Sequence, residues 1–117
     1  MKKTSRRQKR LGGLLRETLA ELISQKIKDP RLSLITITDV DITGDLGIAH
    51  VYFCMMDQTR VADVTKGLES AEGYLRRELK KELRLRKIPH LIFSYDRSLD
   101  YGLKIDGILD RIKGKDG

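Results

Sequence analysis

The chain has 117 residues, 39% apolar and 35% charged, with 24 Lys and Arg against 17 Asp and Glu and a net charge of +7. That length suits one domain with a single modest core, expected over 1–117 with about 4–112 structured and a frayed tail at 113–117. One cysteine and two histidines exclude a disulfide framework and a Cys- or His-rich metal centre, and no apolar run approaches the roughly 18 residues of a membrane span.

Residues 5–27 carry Leu11, Leu14, Leu15, Leu19, Leu22, Ile23 and Ile27 at three- and four-residue spacing, which predicts an amphipathic helix. Ser5 suits its N-cap, Gly12-Gly13 weakens its early turns, and the Asp29-Pro30 step ends it. Residues 33–42 (SLITITDVDI) are β-branched and alternating, so they read as a strand, with 48–56 (IAHVYFCMM) as its hairpin partner. Thr43-Gly44-Asp45-Leu46-Gly47 between them has turn chemistry. A second helical pattern runs from about Arg60 through Val64, Leu68, Ala71, Leu75 and Leu79, with Gly67 and Gly73 as places to bend. Pro89 closes it, Leu91–Tyr95 reads as a third strand, Asp96–Gly102 as a polar turn and Leu103–Lys113 as a short terminal helix. Leu15, Leu19, Leu22, Ile37, Val51, Phe53, Leu68, Leu75 and Phe93 form the expected core.

No arrangement of residues suggests an enzyme. Asp39-Val-Asp41 opens like a calcium loop, but position twelve, where a bidentate carboxylate is needed, is His50. His50 and Cys54 lie i, i+4 on one strand, two ligands short of a zinc site. No nucleophile–base set and no phosphate-cradling glycine loop after a strand is present.

Charge is the informative feature. Residues 1–16 hold seven bases and no acid, and residues 76–87 hold seven bases and two acids, while the remainder is acidic overall. Two concentrated basic segments on a small domain point to a polyanion, because each phosphate neutralised releases counterions. Arg6, Arg7, Lys9 and Arg10 form the first candidate element. Arg76, Arg77, Lys80, Lys81, Arg84 and Lys87 form the second, at spacings that line one side of a helix. Acids of the hairpin such as Asp39 are expected to face away from phosphate, and Arg31 and Arg86 to hold structural carboxylates. The six aromatic residues make no base-stacking cluster, so recognition through backbone and shape is expected. The basic segments carry no Trp or Phe, which argues against a membrane surface, and no apolar stretch follows the basic start as in a signal peptide. A cytoplasmic protein is expected. Two classes stay open: an RNA-binding protein, and an interaction module whose basic helices meet an acidic protein.

Several segments in order carry a family resemblance: Lys28-Asp29-Pro30-Arg31; Ile37-Thr38-Asp39-Val40; Gly44-Asp45-Leu46 with Ala49-His50-Val51-Tyr52; the helix Gly67-Leu68-Glu69-Ser70-Ala71-Glu72-Gly73-Tyr74-Leu75-Arg76-Arg77-Glu78-Leu79; and Pro89-His90-Leu91-Ile92-Phe93. Over about residues 4–110 the chain resembles the bacterial ribosome-binding factor A family. The resemblance implies an α+β, type II KH-like fold of order α-β-β-α-kink-α-β. Its three-stranded sheet packs against helices, with an Ala-x-Gly kink at Ala71, Glu72 and Gly73. It further implies a factor that binds the free 30S subunit and its 16S rRNA, supports late 30S maturation and 16S rRNA 5′-end processing, matters in cold adaptation, and is released by a ribosome-associated GTPase. A monomer without cofactor is expected.

Overall fold

In the computed structural model, which describes residues 5–32 and 34–97, the first helix begins at a capping box. Ser5 Oγ accepts the Gln8 N–H at 3.1 Å, and the Gln8 side-chain oxygen accepts the Ser5 N–H at 2.9 Å. The helix, α1 (Arg6–Gln25), buries Leu15, Leu19, Leu22 and Ile23. Its apolar stripe lies along the strand β1 (Ile35–Ile42), and Gly12 makes the approach possible: a Cβ there would stand 2.8 Å from the Val40 carbonyl oxygen. Buried Gln8 adds a second tie, its amide donating to the Ile42 carbonyl at 2.7 Å.

Pro30–Leu32 forms a single 3₁₀ turn between α1 and β1. Strand β1 pairs antiparallel with β2 (Ile48–Met55), and β2 pairs parallel with β3 (His90–Tyr95), in the order β1-β2-β3. The parallel pair needs a crossover, which the second helix, α2 (Val61–Leu83), supplies. Register slips between Ile37 and Asp39, a bulge at Thr38. The slip switches parity, so Ile37 and then Val40 and Ile42 all reach the core, where unbroken alternation would have turned the last two outward. All nine residues expected in the core are buried, with Leu15, Leu19, Val51, Phe53, Leu68 and Leu75 fully so.

The α+β class and three-stranded sheet match expectation, but the second helix does not divide. Helix α2 runs unbroken for 23 residues, with Ala71, Glu72 and Gly73 inside it. Gly73 is exposed, and a Cβ there would meet only the Arg77 guanidinium, at 3.7 Å. The glycine held in close contact is Gly67, where a Cβ would lie 3.3 Å from both the Arg31 guanidinium carbon and a Leu32 methyl. The 3₁₀ turn thus packs directly onto α2. The helix also ends earlier than the basic pattern suggests, because Arg84 takes a left-handed conformation (φ 53°). The Arg84 and Leu85 N–H groups both turn back to the Lys80 carbonyl. The expected terminal helix at 103–113, most of the 96–102 turn and the tail lie outside the described residues, as do Lys2 and Lys3.

Candidate nucleic-acid interface

The loop 84–89 joins α2 to β3, and its position is fixed from α2. Arg76 donates from Nε to the Pro89 carbonyl and from Nη2 to the Ile88 carbonyl, both at 3.2 Å. Glu72 accepts the Leu91 N–H at 3.0 Å and lies 3.6 Å from Arg76. Glu72 and Arg76 therefore form a bracket that sets where β3 starts. Arg76, expected to meet phosphate, also donates to two backbone carbonyls. Glu72, expected in a kink, holds a strand.

The loop so placed meets the start of α1 and the β1–β2 turn around a cleft of about 410 Å³. Arg7 and Arg10 come from α1, Arg86 and Lys87 from the loop, and Asp45 from the turn. Leu11, Leu14, Leu46, Leu85 and Pro89 supply an apolar lining. Two basic segments far apart in sequence thus share one site, and Arg86, expected to hold a carboxylate, stands on its rim without one among the described residues. Arg31 is the structural arginine: it meets Asp29 at 2.7 Å and Asp63 at 3.7 Å.

The remaining candidates fall elsewhere. Lys9 belongs to a second cleft, of about 440 Å³, which it shares with Arg16 and the hairpin acids Asp39 and Asp41. Those acids thus line a cleft together with α1 cations. Arg6 is exposed in the first turn of α1. Arg77, Lys80 and Lys81 are exposed along α2, and Lys81 is 3.4 Å from Glu78. Glu78 is shared with Lys26, whose hydrogen bond is the main reason its carboxyl sits below the ordinary range. Arg84 and Lys87 have left the helix, so the six bases of the second segment do not form one helical face.

Among the described residues no group of three or more His, Cys, Asp or Glu could hold a metal ion, and no helix is long and apolar enough to cross a membrane. Burial first, and then the charge of Asp96, pushes the Cys54 thiol up, away from nucleophilic use.

The sequence profile of ribosome-binding factor A matches residues 7–109. The chain belongs to the ribosome-binding factor A family. It is 42% identical over 111 residues to ribosome-binding factor A of Staphylococcus saprophyticus, covering 94% of this chain and 97% of that one. The crystal structure of ribosome-binding factor A from Thermus thermophilus superposes with a TM-score of 0.69 at 31% identity, covering 77% of this chain and 97% of that one. A homology model of the Thermus thermophilus factor, fitted into the cryo-EM map of a 30S complex with ribosome-binding factor A, matches with a TM-score of 0.62 at 30% identity, over 77% of this chain and 96% of that one. The matched segment contains both the α1 and the loop cations, so the cleft lies within the part shared with the family.

Proposed function

We propose that this protein is a non-enzymatic assembly factor that binds the free 30S subunit, with 16S rRNA as its principal ligand. The observation that carries the reading is the convergence of Arg7 and Arg10 with Arg86 and Lys87 on one cleft. Four cations around one concavity favour a phosphate backbone. Family membership and the 30S complex of the Thermus factor support the same partner. In this reading the protein acts in the cytoplasm as a monomer, supports late subunit maturation and 16S rRNA 5′-end processing with added importance in the cold, and leaves through a ribosome-associated GTPase. Helix α2 offers Arg77, Lys80 and Lys81 as a further binding element beyond the cleft.

Binding to purified 30S particles, measured across a salt series, tests the assignment. Replacing Arg7, Arg10, Arg86 and Lys87 by Ala should weaken binding and flatten the log–log salt slope by roughly 0.7–0.9 for each phosphate that is no longer neutralised. An Arg77, Lys80 and Lys81 triple replacement should have a smaller effect. Wild-type affinity with an unchanged slope in the cleft variant would defeat the proposal.

A further inference from the structure

A carboxylate repels phosphate, yet the exposed Asp45 lines this cleft together with the rim cations. Its carboxylate is oriented from within the turn. Oδ1 accepts the Thr43 hydroxyl at 2.7 Å and the Gly47 N–H at 2.9 Å, while Oδ2 takes no hydrogen bond from another described residue. The Thr43 hydroxyl above all, then the Gly47 N–H, hold the carboxyl below its ordinary range, with the Lys87 charge adding to them, so at neutral pH it is an acceptor only. Beside it lies an aliphatic lining in which Leu14 is 43% exposed, an apolar surface open to a ligand. The cleft's volume of about 410 Å³ falls in the range of sites that enclose one small organic group.

We infer that the cleft captures one unpaired nucleobase of single-stranded RNA, guanine above all, with the N–H groups of its pairing edge donating to Asp45 Oδ2 and the adjoining phosphates held by the four rim cations. The inference rests on the RNA reading above and adds base selection to it. Guanine presents a ring N–H beside an amino group, two adjacent donors that suit a carboxylate. Uracil presents one N–H between two carbonyl oxygens, and those oxygens repel a carboxylate. The apolar lining gives the base a face to pack on, while the Asp45 carboxylate selects among pairing edges by accepting their donors.

Anisotropy titration of the full chain with two labelled RNA heptamers at fixed salt tests this. One heptamer is all uridine and the other carries a single central guanosine. The guanosine oligomer should bind roughly fivefold more tightly, the lower end for a specific base contact. Asp45→Asn keeps an oxygen for Thr43 and Gly47 and places an amino group where Oδ2 was, so it should erase or reverse that preference. If Asp45 were merely an unfavourable charge, the variant would tighten both oligomers equally, which overturns the inference. Leu14→Gln, at an exposed helical position, should weaken both heptamers without changing their salt slope, and unaltered affinity would remove the apolar lining from the site. Equal binding of both heptamers by the wild type overturns base selection and leaves the RNA reading standing. Failure of both heptamers beside tight 30S binding also overturns it, and makes folded RNA or a ribosomal protein the occupant. Failure of heptamers and 30S particles together defeats the RNA reading itself.

Discussion

Arg84 carries backbone strain that a side-chain bearing residue seldom tolerates, at φ 53°. Arg84→Gly should therefore stabilise the fold by about 1 kcal/mol, read as a higher urea midpoint with unchanged m-value. Asp29 is a residue of the opposite kind, tuned by a partner. The Arg31 side chain first, and its N–H second, hold the Asp29 carboxyl below its ordinary range. A carboxyl depressed in the folded state contributes stability above the unfolded pKa of about 3.9, and loses it as pH falls through the folded value. Melting temperature should accordingly fall as pH drops from about 5 toward 2, and Asp29→Asn should make that fall shallower. A wild-type and variant pair with parallel acid profiles would show that the Asp29–Arg31 pair does not contribute.

Glycines in the helices separate close packing from tolerance. Gly12 faces the Val40 carbonyl at a distance that no Cβ accepts, whereas nothing lies within 4 Å of a Cβ on Gly13. Gly12→Ala should cost about 1–3 kcal/mol, since the helix must move off β1. Gly13→Ala should gain about 0.5–1 kcal/mol from helix propensity alone. Gly73→Ala belongs with Gly13, because α2 is unbroken there and the added methyl meets only a flexible guanidinium. Chemical denaturation of the three variants checks all of this, and a destabilised Gly73→Ala would restore a special role to the Ala71-Glu72-Gly73 stretch. The β1 bulge was also legible in principle. The apolar positions change parity between Ile37 and Val40, and only an extra residue at Thr38 lets both face the same core. The αL end of α2 was not legible, because Arg84 occupies a position where glycine is the usual signal.

At the scale of the whole molecule, the Glu72–Arg76 bracket couples the core to the interface. Arg76 covers the Ile88 and Pro89 carbonyls, and the two residues next to that pair toward α2, Arg86 and Lys87, line the cleft. Arg76→Ala should cost about 1–3 kcal/mol by leaving those carbonyls unpaired. It should also weaken 30S binding while leaving most of the salt slope, since the rim cations remain. A slope reduction equal to that of a rim variant would make Arg76 a direct phosphate ligand. Both effects are read from denaturation and from 30S titration of the same preparation.

Periodicity and turn chemistry determined the main helices and strands and the centre of the core, because those depend on local spacing: the leucines of α1, the alternation in β2 and the Asp29-Pro30 stop act within a few residues. Composition likewise determined that two short segments hold most of the positive charge. Which of those charges face one another depends on contacts across the fold. Arg7 and Arg86 lie almost eighty residues apart and line one cleft because β3 pairs parallel to β2, and because Arg76 and Glu72 hold the loop that leads into it. Packing likewise gives Arg76 two backbone carbonyls to hold and sets Lys9 in a cleft with Asp39 and Asp41. A helical wheel records the direction of a charged side chain but not what the rest of the chain places beside it, so the basic segments were readable from sequence and the cleft was decided by packing.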